Sequence, residues 1–91
     1  MKTLIWNEDK NERLKIGRGV SFEDVENCLE QGKVLDVINH PNQLKHEGQK
    51  VFILEIRNYA YLVPFIEFVD EIILITMIPS RKMTKKYLRE K

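Results

Sequence analysis

The chain has 91 residues, 43% of them hydrophobic and 32% charged, a balance that suits one small globular domain over residues 1–91 and excludes disorder. The formal net charge of +1 hides an asymmetry: residues 81–91 hold six Lys/Arg and one acid, residues 1–80 nine Lys/Arg and thirteen acids. Cys28 stands alone, which excludes a disulfide framework and a Cys-x-x-Cys zinc site.

In chain order, residues 3–6 read as a short strand. Asn7 is a suitable N-cap, and Glu8 and Asp9 place acids at a helix N-terminus, predicting a helix over 8–16. Gly17-Arg18-Gly19 then breaks the chain. Ser21 is a second N-cap, with Asp24 in the capping-box position. Phe22, Val25, Cys28 and Leu29 follow on one helical face, making Cys28 a small core residue, and Gly32 ends that helix.

Residues 34–38 predict a second strand and 39–49 a polar loop carrying both histidines. Residues 51–56 and 59–66 predict a hairpin around Arg57-Asn58, because Asn tolerates the positive φ of a tight turn. A third strand over 71–78 completes an antiparallel meander. Its nearly continuous apolarity predicts cover on both sheet faces, or a partner over one. Pro64 falls inside the middle strand, where it deletes a ladder donor and predicts a bulge or a partial edge.

Pro79 closes the last strand and Ser80 caps a helix over 81–89. The order β-α-α-β-β-β-β-α predicts an α+β domain, with helices packed on one antiparallel sheet. The apolar runs are far shorter than the roughly 20 residues that span a bilayer. The N-terminal residues lack the apolar stretch of a signal peptide, so a cytoplasmic protein is expected.

On the final helix Arg81, Lys85, Leu88 and Arg89 share one side, and Lys82 and Lys86 an adjacent one. This is either a solvated face whose cations complement the helix dipole, or a phosphate-facing surface. Charge runs are more often solvent faces, and attachment to a core strand, which would place Arg81 rigidly, strengthens the second reading. His40 and His46 have the intrinsic pKa for acid–base work, and their spacing fits no metal pair. No P-loop is present, nor a Gly-x-Ser-x-Gly elbow, so nucleotide hydrolysis and serine catalysis are not expected. Tyr59, Tyr61, Phe65 and Phe68 have the chemistry to stack bases but are read as core, Tyr61 and Phe65 above all.

Three blocks now stand out: Trp6-Asn7-x-x-Lys10-Asn11, Gly19-Val20-Ser21-Phe22-Glu23 and Pro79-Ser80-Arg81-Lys82-x-Thr84. In their order and spacing the chain resembles the BrnT-type toxins of bacterial type II toxin–antitoxin systems, over nearly its whole length. Segments 35–42 and 61–65 match a subgroup. The resemblance implies a RelE-like fold and a cofactor-free, metal-independent endoribonuclease. It also implies an antitoxin, of ribbon-helix-helix type, in a dimer or a toxin–antitoxin hetero-oligomer.

Carried onto this sequence, the resemblance makes Arg81 the phosphate-stabilising residue, with Lys82 next to it and Lys50 a second cation. His40, His46 and Tyr87 become candidates for proton transfer. Arg18, Lys85, Lys86 and Arg89 become RNA-binding cations. The chain departs from the pattern at Gly17-Arg18, where Lys-His is usual, at Tyr87, where glutamate is common, and at Ile75. A rival reading keeps the fold and drops the chemistry: a non-catalytic RNA- or protein-binding module. A third is a structural subunit whose apolar sheet is covered by another chain.

Overall fold

Two side-chain caps organise the N-terminal part of the computed structural model, which describes residues 2–42, 44–45 and 48–89. Strand β1 (Thr3–Ile5) leads into helix α1 (Glu8–Arg18), and the Asn7 side chain accepts a hydrogen bond from the Lys10 N–H at 2.9 Å. Gly17 and Arg18 stay helical, so the expected break shrinks to Gly19, whose φ of +68° closes the helix. An interior glycine costs only about 1 kcal/mol relative to alanine, too little to stop a helix whose Gly19 N–H still reaches the Lys15 carbonyl at 3.1 Å. Helix α2 (Phe22–Gln31) has a complete capping box between Ser21 and Asp24, and it buries Phe22, Val25 and Cys28.

The remaining strands are β2 (Val34–Asn39), β3 (Lys50–Ile56), β4 (Tyr59–Glu67), β5 (Glu71–Leu74) and β6 (Ile78–Pro79). Helix α3 (Arg81–Thr84) continues into a π-helical turn, Lys85–Arg89. The molecule is therefore α+β, with helices packed on a six-stranded sheet of order β1-β5-β4-β3-β2, in which β6 also pairs with β4. The sheet is mixed rather than antiparallel, because β1 lies parallel to β5. A three-residue strand carries too little pattern to specify its neighbour. The helices return the chain to the far side of the hairpin, leaving β1 the β5 edge.

Arg57 and Asn58 both have positive φ, 50° and 65°, the pair that a twisted two-residue hairpin turn needs. The expected strand over 71–78 splits into β5 and β6, and Met77 between them is fully buried. Pro64 explains where the split falls. Its carbonyl accepts from the Ile75 N–H at 2.9 Å, and a strand residue's N–H and C=O leave on the same side. The missing donor thus faces the gap between β5 and β6, where no ladder partner is required.

One face of the sheet is covered by α1 and α2, and the other is covered in part. Phe52, Leu54, Ile56, Val63, Phe65 and Leu74 join Leu14, Phe22 and Val25 in the core beneath α1 and α2. Phe52 and Phe65 stack there, with centroids 4.0 Å apart. By strand alternation Ile53 and Ala60 belong to the opposite face, and both are fully buried. Full burial of a side chain such as Phe22 or Ile53 contributes about 1.5–3 kcal/mol. The C-terminal helix covers that second face. Towards β1 and β6 it stays open, with Ile5 36% and Ile78 42% exposed. No helix among the described residues is long and apolar enough to cross a membrane.

Candidate nucleic-acid interface

A short edge strand and a polar cap place the cationic helix. The Ser80 N–H donates to the Ala60 carbonyl at 2.9 Å, carrying the β4 ladder one step beyond Pro79. The Ser80 hydroxyl then accepts from the Met83 N–H at 3.1 Å and starts α3. Thr84 locks the helix down: its Oγ1 accepts from the Ala60 N–H at 2.8 Å and donates to the Ser80 carbonyl at 2.7 Å. This buried hydroxyl replaces the acceptor that Ala60 would otherwise have found in a neighbouring strand.

Seated in this way, Arg81, Lys85 and Arg89 line one open cleft of about 560 Å³ with Tyr59 and Thr84. The helical side expected from the sequence therefore exists for these three cations. All three are exposed, so their charge faces solvent. Lys82 and Lys86 are exposed but outside the lining, and the Lys86 ammonium sits 5.3 Å from the centre of the Tyr87 ring.

The other candidates are not gathered there. Lys50 lies on the face beneath α1 and α2, where its ammonium is 3.6 Å from Glu67. Register sets Pro79 beside Tyr61, and Tyr61 beside Leu54. Lys50 is four residues back along β3 from Leu54, about 13 Å along the strand at roughly 3.3 Å per residue. His40 follows β2 at the same far end. Its Nδ1 accepts from the Asn42 N–H at 3.1 Å, and its backbone N–H donates to the Gln49 carbonyl at 3.0 Å. His46 lies outside the described residues.

Tyr87 spends its hydroxyl on the sheet, donating to Asp36 Oδ2 at 2.6 Å. That bond lowers the Asp36 carboxyl below its usual range and raises the Tyr87 phenol above its own, so Tyr87 holds its proton more firmly. Arg18 donates to the Met77 carbonyl, bracing the β5–β6 break from the α1 side. Arg57 likewise donates to the Gly19 carbonyl, with Asp24 3.8 Å from its guanidinium. Cys28 is buried, its thiol pushed up by desolvation, and it donates to the Glu55 carbonyl at 3.1 Å. Among the described residues no His, Cys, Asp and Glu group could hold a metal ion.

No protein-family model, characterised protein or solved structure matches this chain. The three sequence blocks singled out above nevertheless have a physical account. Asn11 is fully buried, accepts from the Phe22 N–H at 2.8 Å and donates to Glu23 at 2.8 Å. Trp6 stacks on Phe22, with centroids 5.7 Å apart. The first block is thus bolted to the second, and their residues build the scaffold. The third block supplies Ser80 and Thr84 as anchors and leaves Arg81 facing the cleft.

Sequence reasoning groups Tyr59 with the core aromatics and gives Thr84 no role beyond its place in the third block. By composition Tyr59 belongs with the core aromatics, yet it is half-buried and lines the cleft, while Phe68 is 50% exposed. The available signal is its position next to the Arg57-Asn58 turn, where a strand has not yet reached the core. Phe65 is buried and Tyr61 packs against the core, in line with expectation.

Proposed function

We propose that this chain is a toxin-type, metal-independent endoribonuclease that cleaves RNA in the cytoplasm and restrains growth until an antitoxin binds it. The observation that carries the reading is the cleft in which Arg81, Lys85 and Arg89 meet on a helix fixed to the sheet by Thr84. Its support from sequence is the ordered set of blocks that resembles those of BrnT-type toxins, the last of which contains Arg81.

In the proposed reaction an RNA 2′ oxygen attacks the neighbouring phosphorus and the bond to the 5′ oxygen breaks. Negative charge builds on the non-bridging oxygens of the pentavalent transition state, and preorganised cations stabilise that charge most. Arg81 can present two parallel N–H donors to a phosphate, with Lys85 and Arg89 as neighbouring positive charge. A base takes the 2′ proton and an acid returns one to the 5′ oxygen. The cleft itself supplies the phosphate site and the charge stabilisation.

One observation favours a second reading, an RNA-binding module without chemistry. His40, the one histidine among the described residues, sits at the far end of the sheet from Arg81. Incubating the purified chain with total RNA in EDTA separates the two. The nuclease reading requires cleavage, and growth arrest on expression that Arg81→Ala relieves. Binding without cleavage assigns the module instead.

A further inference from the structure

Tyr59 is the aromatic member of the cleft, with its backbone set by a turn and a strand register and its ring held by one neighbour. It opens β4 directly after the left-handed Arg57-Asn58 turn and lies opposite Ile56 in the β3–β4 register. Its ring meets that of Tyr61 edge-on, with centroids 6.0 Å apart and planes at 69°. Tyr61 in turn packs against the core. An edge-to-face contact holds the Tyr59 ring from one side without covering both of its faces. Core packing, which would account for a buried tyrosine, does not account for a half-buried one lining a cleft with three cations.

We propose that Tyr59 is a base-stacking platform that selects single-stranded RNA for this cleft. The inference rests on the RNA reading above and goes beyond it by naming a specificity-determining residue. Arg81, Lys85 and Arg89 attract the backbone of any nucleic acid, single- or double-stranded. Stacking on Tyr59 needs a base whose face is uncovered, and a duplex keeps its base faces against their neighbours. Discrimination between single strand and duplex therefore falls to the aromatic residue, and the cations supply the shared, salt-dependent attraction.

The test measures binding of the full chain to a short 2′-O-methyl RNA strand, which cannot undergo 2′-oxygen attack, to its duplex, and to a polyphosphate of similar length. Tyr59→Ala and Tyr59→Leu should weaken single-strand binding by roughly 5- to 100-fold, with duplex and polyphosphate binding unchanged. Tyr59→Phe should retain single-strand affinity, and thermal unfolding of each variant checks that the fold survives. Unchanged single-strand affinity in Tyr59→Leu overturns the proposal, as does an equal loss on all three probes. If the wild-type chain binds the strand but cuts no RNA, the nuclease reading fails and the stacking assignment stands. If it binds no strand, both fail.

Discussion

Tyr87 and Asp36 are joined by a 2.6 Å hydrogen bond across the second face of the sheet, so the Lys85–Arg89 turn is tied to edge strand β2. Neither Tyr87 nor Asp36 lines the Arg81 cleft, and the bond acts as a latch. Tyr87→Phe keeps the ring and removes the donor. Amides of the Lys85–Arg89 turn should then lose hydrogen-exchange protection while core amides of β3 keep theirs. Unchanged protection in that turn would show that the latch holds nothing.

The same bond makes the latch pH-dependent. Asp36 titrates below its ordinary value when folded, so its contribution is complete above the unfolded pKa of about 4 and fades as pH falls through the lower folded value. Tyr87 titrates above its ordinary value, so its contribution is complete below about pH 10 and fades as pH rises through the higher folded value. Protection of Lys85–Arg89 should therefore be flat between these limits and fall at both ends. In Tyr87→Phe the acid-side loss should vanish. An equal acid-side loss in the variant assigns it to other carboxylates.

Thr84→Val should cost about 1–3 kcal/mol, because the isosteric change leaves the buried Ala60 N–H without its acceptor. At this chain length that lowers Tm by at least several degrees. Thr84→Ser keeps the hydroxyl and should lose much less. Equal melting of the Val and Ser variants would remove Thr84 from its anchoring role.

Asn11→Ala should also cost about 1–3 kcal/mol, since the Phe22 N–H loses its partner inside the fold. Asn11→Asp keeps an acceptor for Phe22 but sets a second negative charge against Glu23. The Glu23 carboxyl is held below its usual range chiefly by the Asn11 amide. The Asp variant should therefore be weaker at neutral pH than at about pH 4, where carboxylates begin to protonate. Denaturant melts at the two pH values check this, and a variant equally stable at both contradicts it.

Arg81→Ala, Lys85→Ala and Arg89→Ala should each flatten the dependence of log affinity on log salt, by roughly 0.7 for each single-strand phosphate that is no longer neutralised. Lys50→Ala and His40→Ala, at the other end of the sheet, should leave that slope unchanged. Equal effects from all five substitutions would disperse the interface over the surface and remove the cleft as its centre.

How much of this is legible in the chain differs from residue to residue. Asn7, Ser21, Asp24 and Ser80 announce their helices because a cap needs only a short polar side chain a few residues from its partner. Arg57-Asn58 announces the hairpin for the same local reason, and the cationic side of the last helix follows from residue spacing. Local chemistry determined the element order, the α+β class and which cations share the Arg81 side.

Tertiary structure decided what sequence separation conceals. The parallel β1–β5 edge, the break at Met77 and the bond from Asn11 to Phe22 depend on where distant segments meet. Only register could put His40 and Lys50 at one end of the sheet and Arg81 at the other. Only packing could turn Tyr87 towards Asp36 and bring Tyr59 into the cleft. Pairing across a sheet is chosen by buried area and ladder hydrogen bonds summed over the whole molecule, and no local window contains that sum.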